Sequence, residues 1–485
     1  MKMNPAIVWF RNDLRVADNP ALHAAAASRR PLVCLYIHDE KTPGLRSPGG
    51  AARWWLHGSL RALDQALAKQ GGRLTMMRGA PTHILPRLAA KVAAEAVYWN
   101  RRYDEPGRTV DLALESTLEQ RDIAVITSNG HLLHEPWTLK NTSGQPFRVF
   151  SAYWRAAVKQ GAPEAPLPHP RKLHLHPLPK RLGLEEIVQL ASLGLEPHTP
   201  DWASGLRQTW IPDESAARTR LKRFLESALR NYPTDRDRPD RHGTSRLSPY
   251  LTFGNLSVRQ VWHTALTAVR SRSSSANPRQ LQKFFAELGW REFNYHILHH
   301  HPDLAKRNFQ PRFDSVRWRV DRRALRAWQR GLTGYPIVDA GMRELWTTGW
   351  MHNRVRMVTA SFLIKHLLID WRQGEQWFWD TLVDADPANN AANWQWVAGT
   401  GADAAPYFRI FNPILQGEKF DPNGDYVRRW VPELARLPSR IIHKPWTAKA
   451  EQLAAAGVRL GQTYPHPIVD HDRARQRALM AFKPL

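Results

Sequence analysis

Ile7-Val8-Trp9-Phe10, running straight into Arg11-Asn12-Asp13-Leu14-Arg15, decides the first half of the fold. Four large apolar residues that stop at a charge read as a buried strand. Residues 32–37, Leu74-Thr75-Met76-Met77, Val97-Tyr98-Trp99 and residues 123–127 read the same way. Between them, 54–69, 82–94 and 110–120 space their apolar residues by threes and fours, as helices do. Strand alternating with helix over residues 1–130 implies a Rossmann-like parallel α/β domain. The first strand, however, leads into no glycine fingerprint, which argues against an NAD site of the usual kind.

Residues 131–205 differ. The stretches 163–170 and 174–179 are rich in proline, which lacks an amide donor and fixes φ, so neither suits regular helix or central strand. They read as a long connector. From residue 206 to 485 the spacing is helical, most plainly over 354–371, where Val355, Val358, Phe362 and Ile369 recur on one face. A Ser-rich stretch, 271–278, interrupts it, and no second α/β repeat follows. The expected architecture is an α/β domain, a connector and an all-helical domain.

The 485 residues are 42% hydrophobic and 23% charged, the balance of a folded chain. Lys+Arg 69 against Asp+Glu 44 leaves a net charge of +25. Residues 1–130 carry +6 of it, 131–205 carry +2, and the helical part carries +17 with 14 of the 21 tryptophans. A basic, aromatic-rich helical domain suits a polyanion with stackable bases better than a membrane. No apolar run is long enough to span a bilayer and no signal-peptide pattern opens the chain, so the expected compartment is the cytoplasm. Cys34, the one cysteine, excludes an intrachain disulfide and a four-thiolate metal site. There is no His-Glu-x-x-His, P-loop or Gly-x-Ser-x-Gly, and His299-His300-His301 lacks metal-ligand spacing. No metal is expected; a cofactor that carries the chemistry fits the missing nucleophile.

Three motifs each admit two readings. Gly243-Thr244-Ser245-Arg246-Leu247-Ser248-Pro249 gathers hydroxyls and a guanidinium suited to phosphate, or simply caps a helix. Glu287 and Arg291 lie four residues apart on one helical face, within a functional pocket or as a solvated ion pair. The stretch 384–396 sets Asp384, Asp386, Asn389, Asn390 and Asn393 before Trp394 and Trp396. That is unusual for a plain loop and offers many hydrogen-bonding groups to a polar heterocycle.

These motifs, together with Trp290-Arg291-Glu292-Phe293, Thr333-Gly334-Tyr335-Pro336-Ile337-Val338-Asp339, Trp350-Met351-His352-Asn353-Arg354 and the opening Val8 to Arg15, resemble the signature segments of the photolyase/cryptochrome family. The resemblance covers essentially the whole chain and is nearest to the cyclobutane-dimer photolyases of the bacterial class III group. It implies blue-light-driven repair of DNA: reduced FAD in the helical domain passes an electron to a pyrimidine dimer flipped out of the duplex. The resemblance assigns the FAD contacts to Tyr232, Thr244, Ser245, Arg246, Leu247, Ser248, Phe284, Arg291, Arg356, Asp384, Ala385, Asp386 and Asn390, with Asn390 facing flavin N5. Plant cryptochromes resemble the chain but place an aspartate there. Glu287, Trp290, Met357 and Trp396 match the dimer pocket, where the acid hydrogen-bonds a thymine carbonyl and the tryptophans stack. Arg236, Arg291, Asn294, Asn353, Arg409 and Gln416 match DNA or pocket-rim positions. Trp394, Trp371 and Trp318 match a chain that relays electrons from the surface to oxidised flavin.

Relatives for the six-four photoproduct carry His-His where this chain reads His352-Asn353, the iron–sulfur branch needs four cysteines, and no long signalling tail precedes Leu485. All three favour dimer repair over the main alternative, a cryptochrome-type blue-light photoreceptor. A second alternative is a basic single-strand-binding protein. For the antenna, class I relatives place an Asn-Glu pair after a tyrosine like Tyr103, where this chain reads Pro106-Gly107. Class III relatives look similar around Asn100-Arg101-Arg102-Tyr103, so 5,10-methenyltetrahydrofolate is the expected antenna. A monomer without an obligate protein partner is expected.

Overall fold

The computed structural model describes residues 3–176, 178, 183–271 and 275–483. Five strands, β1 (Ala6–Phe10), β2 (Leu32–His38), β3 (Leu74–Arg78), β4 (Ala96–Asn100) and β5 (Ala124–Ser128), pair in the order β3-β2-β1-β4-β5, every pair parallel. All residues of β1, β2 and β4 are buried, as a parallel sheet covered on both faces requires. Helices α1 (Pro20–Ala27), α2 (Gly50–Ala68), α3 (Pro81–Lys91) and α4 (Glu105–Glu119) make the crossovers. The strands fall within a residue or so of their expected places, whereas α2 and α4 begin a turn earlier than their periodicity suggests. The sequence reading missed α1. Its run Pro20-Ala-Leu-His-Ala-Ala-Ala-Ala has no apolar period, and its one local signal is Asn19, which accepts the Leu22 amide at 3.1 Å.

The two proline-rich stretches carry no helix among their described residues; 177 and 179 lie outside that set. The connector does contain α5 (Phe150–Lys159). Backbone bonds from Leu32 N to His174 O (2.6 Å) and from Val188 N to Met76 O (2.9 Å) bring the chain around His174 and Val188 against the β2–β3 edge of the sheet.

From Ser204 onward the named elements are all helices. The longest, Pro278–His300, starts at a capping box of Asn277 and Gln280. The single helix expected over 354–371 is corrected: Asn353–Ser361 widens into a π turn at Phe362–His366, and Leu368 adopts φ 54°. A new helix, Trp371–Thr381, then begins behind Asp370, which accepts the Arg372 amide at 3.0 Å. The apolar period runs through this break because Leu367, Leu368 and Ile369 are buried whatever their backbone does. The Ser-rich stretch 271–278 falls partly on 272–274, outside the described residues.

The two halves share one apolar cluster, in which Trp55 of α2 meets Trp210, Tyr250 and Phe253. Gly254, at φ 68°, makes the approach possible: a Cβ there would sit 2.2 Å from the Asn12 carbonyl oxygen. Across this seam Leu14 N bonds Phe253 O (3.1 Å) and Arg15 Nη1 bonds Gly254 O (3.0 Å). No described helix is long and apolar enough to cross a membrane.

Candidate active site

The Gly243–Pro249 turn and the Asp384 loop meet in space. Ser248, at the start of the short helix Ser248–Thr252, makes no cap bond; its Oγ donates to Asp384 Oδ2 at 2.6 Å. Arg356 Nη2 reaches the same carboxylate at 2.8 and 3.1 Å while its Nε holds the Met351 carbonyl at 2.8 Å. Thr252 Oγ1 adds a 3.3 Å bond to the Asp384 carbonyl. Arg246 sits at φ 51° with its guanidinium 4.2 Å over Trp350, and its nearest acid, Glu344, is 3.9 Å away. Burial lowers its affinity for a proton against the pull of Glu344. Among the described residues Arg246 Nε has no partner, and none bonds the half-buried hydroxyls of Thr244 and Ser245. Tyr232 is buried edge-on against Phe284 and Phe224.

Asp386 organises the rest of that loop. It accepts the Ala388 amide at 2.9 Å and the Asn389 amide at 2.6 Å, and Asn389 Nδ2 at 2.7 Å. Asn389 Oδ1 in turn accepts from Asn294 at 2.8 Å. Burial raises the Asp386 carboxyl above the ordinary range, opposed by these bonds and by Arg291. Ala385 is buried beside it. Asn390 is different. Both N–H bonds of its amide are used, to the Glu375 carbonyl (2.9 Å) and to Glu375 Oε1 (2.8 Å), and Oδ1 is left as the free end.

Glu287 and Arg291 do not pair. Glu287 bonds Arg236 and has Lys283 at 3.7 Å. Arg291 turns inward to the connector, holding the His131 carbonyl (3.0 Å), His131 Nε2 (2.7 Å) and Glu292 (3.1 Å) beneath Tyr295. Burial pushes the Glu292 carboxyl up to about 7 against the pull of Arg291. Arg291 is not among the residues lining the crevice described below. Trp290 lies face to face with Phe150 of α5, centroids 3.8 Å apart and planes within 10°. Trp290, Asn294 and Trp396 line one narrow crevice, and Met357 is half-buried. Asn353 and Arg409 are exposed, and Gln416 keeps a buried Oε1 without a partner.

The three tryptophans expected to relay electrons belong to or pack against a single apolar cluster. Trp394 is buried between Phe378 (4.9 Å) and Trp328 (6.1 Å). Gly374 admits it, since a Cβ there would come within 2.1 Å of its ring. Trp371 is buried, bonding Asn308 at 2.9 Å, and Trp318 is half-buried, edge-on to Phe482. No direct ring contact joins the three among the described residues.

Sequence reasoning missed Phe150, Glu375 and Arg46. It also missed a cleft between the C-terminal edge of the sheet and the helical half, lined by Arg11, His38, Arg46, Arg102, Trp379 and Asp386. The strand order reverses between β1 and β4, and such a reversal is the one topological signal for a ligand cleft there.

A parallel α/β half is joined to a helical half that leaves the Thr244 and Ser245 hydroxyls, Arg246 Nε and the Asn390 amide oxygen without a partner among the described residues, an arrangement that suits a polar, phosphate-bearing cofactor. Comparison with known proteins gives that arrangement its family. Residues 6–171 match the DNA photolyase model and 284–484 match the FAD binding domain of DNA photolyase. Tyr232 and the Thr244–Ser248 turn precede the second match. The chain is 51% identical to a deoxyribodipyrimidine photo-lyase from Agrobacterium fabrum, covering 99% of this chain and 98% of that one. It is 39% identical to cryptochrome-1 of Arabidopsis thaliana, covering 97% and 69%. A crystal structure of a bacterial class III photolyase from Agrobacterium tumefaciens superposes with a TM-score of 0.94 at 50% identity, covering 100% and 98%. The chain belongs to the photolyase/cryptochrome family, and its helical half is an FAD-binding domain.

Proposed function

We propose that the protein is a deoxyribodipyrimidine photo-lyase, splitting cyclobutane pyrimidine dimers in DNA under blue light. The observation that carries this reading is Asn390, whose fixed amide offers only a carbonyl to the cavity. An acceptor there complements flavin N5–H, the reduced state from which repair starts. Reduced FAD, when bound and excited, supplies one electron to the dimer and recovers it after the ring opens. The free groups of Thr244, Ser245 and Arg246 suit its pyrophosphate, and Arg356–Asp384 braces the cradle.

The Arg236 pairing revises the expected role of Glu287. An ionised carboxylate accepts hydrogen bonds and does not donate them, so Glu287 takes a pyrimidine N3–H while Arg236 faces the carbonyl on which charge develops. Glu287→Ala is expected to lower repair yield about tenfold, the loss of a charge-assisted bond, with flavin content unchanged. Loss of flavin in that variant would place Glu287 elsewhere. Trp394, Trp371 and Trp318 form the electron relay. Trp371→Phe is expected to slow photoreduction of oxidised flavin more than about tenfold and to spare repair by enzyme reduced beforehand; equal photoreduction rates would remove Trp371 from the relay.

The +17 of the helical half grips phosphates around the extruded dimer, so binding weakens steeply with salt. A methenyltetrahydrofolate antenna occupies the cleft lined by His38, Trp379 and Asp386, in which the guanidiniums of Arg11, Arg46 and Arg102 are already paired to Asp111, Glu375 and Asp104. The protein works as a cytoplasmic monomer. Likeness to cryptochrome-1 keeps a photoreceptor as the second reading, and one assay separates them. Reduced protein is incubated with a thymine-dimer duplex in light and in darkness, and restored thymine is measured. Restoration only in light supports repair; none in either condition overturns it.

A further inference from the structure

The hold on Asn390 originates in the other half of the molecule. The Glu375 carboxylate that takes its N–H also receives both terminal nitrogens of Arg46, Nη1 to Oε1 at 2.7 Å and Nη2 to Oε2 at 2.9 Å. Arg46 stands in the loop between β2 and α2, its guanidinium 4.0 Å over Trp379. The Glu375 side chain is 4% exposed and that of Arg46 is 35% exposed, so the carboxylate is enclosed and the cation reaches in from the interdomain cleft. Held in this two-pronged pair, both carboxylate oxygens are fixed as acceptors, and Oε1 also takes one amide N–H of Asn390. Without Arg46 the carboxylate loses the fork that fixes its plane, and Oε1 can swing away, which frees that N–H of the Asn390 amide.

We propose that Arg46 is a positioning residue for the flavin: acting through the Glu375 carboxylate, beside the Glu375 carbonyl that holds the other N–H, it keeps the Asn390 amide presenting its carbonyl to N5. The proposal rests on Asn390 standing opposite N5, as read above. Reduced flavin carries a proton on N5 and oxidised flavin does not. A carbonyl therefore favours the reduced state and an N–H favours the oxidised one. In this way a residue of the α/β domain biases the redox state of a cofactor held by the helical domain, with no contact to it.

The test compares flavin-loaded full-length protein with Arg46→Leu, Arg46→Lys, Glu375→Gln, Asn390→Ala and the Arg46→Leu/Glu375→Gln double variant. The readouts are flavin content, melting temperature and the rate at which photoreduced flavin reoxidises in air in the dark. Arg46→Leu is expected to keep its FAD and to reoxidise about tenfold faster, the size of one exchanged hydrogen bond. Arg46→Lys, which keeps the charge without the fork, recovers part of the difference. The double variant is no faster than the faster single, because both changes break one clamp. Wild-type reoxidation in flavin-loaded Arg46→Leu, or additive effects in the double variant, overturns the proposal. Should Arg46→Leu fail to accumulate, Glu375→Gln breaks the clamp from the helical side, and wild-type reoxidation there overturns it equally. An Asn390→Ala variant with unchanged reoxidation overturns the reading of Asn390 itself; an altered Asn390→Ala beside an unaltered Arg46→Leu overturns the role of Arg46 alone.

Discussion

Asp384→Ala is expected to yield protein that folds but carries little flavin, with a melting temperature lower by roughly 5 °C. The carboxylate ties three segments of the cradle at once: Ser248 at 2.6 Å from the 243–249 turn, Arg356 at 2.8 and 3.1 Å from the Asn353–Ser361 helix, and its own loop. It is 7% exposed, so water cannot replace those partners, and its loss leaves a guanidinium paired only to the Met351 carbonyl. Removing one partner of a buried ion pair costs about 3–5 kcal/mol; with the Arg356 side chain 24% exposed, about 2–3 kcal/mol is the reasonable figure. Flavin affinity should suffer more than stability, because the turn that bears Thr244, Ser245 and Arg246 loses its anchor. Asp384→Asn separates shape from charge: its amide can satisfy Ser248 or Arg356, not both, and should retain intermediate flavin. The measurements are flavin absorbance per polypeptide and thermal unfolding. Stoichiometric flavin in Asp384→Ala would remove the carboxylate from the cradle.

How much of this was legible beforehand depends on the kind of signal. The strands were legible because a parallel sheet buries both faces, so Val33-Cys34-Leu35 reads as an unbroken apolar run. The α1 helix was not, because alanine is compatible with every helical face and marks none. The 354–371 run misled for the opposite reason. Apolar periodicity reports burial, and Leu368 is buried at a left-handed φ that ends the helix. Asp370, an ordinary N-cap residue, was the overlooked sign of a second start.

The site divides similarly. Residues within a motif were found, and partners brought by the fold were not. Ser248 was visible, but its acceptor lies 136 positions away, and the cap reading was the local alternative that the structure sets aside. The i,i+4 spacing of Glu287 and Arg291 suggested a pair, yet each found other partners: Arg236 for one, and for the other the adjacent buried Glu292 together with the His131 carbonyl of the connector. Arg46 and Glu375 are 329 positions apart and belong to no pattern; only the seam between the halves brings them together.

The connector bears on Trp290. Trp290→Ala is expected to weaken binding of dimer-containing DNA by about 10- to 100-fold while leaving undamaged DNA almost unaffected, since stacking on an aromatic ring contributes about 1–3 kcal/mol per base. Phe150 covers one face of the indole at 3.8 Å, and Phe293 meets its edge. The ring is therefore held at a set angle, with its remaining surface toward the crevice shared with Trp396. A flipped pyrimidine dimer needs such a surface, having given up its stacking in the duplex. Undamaged duplex, on this reading gripped by charge and kept out of the crevice, should bind with an affinity that follows salt and not this substitution. Trp290→Phe should recover much of the loss, because it keeps a flat ring against Phe150. Binding is measured by fluorescence anisotropy on matched duplexes with and without one dimer. If Trp290→Ala weakened both duplexes equally, the indole would be a structural wall of the domain and the dimer would stack elsewhere.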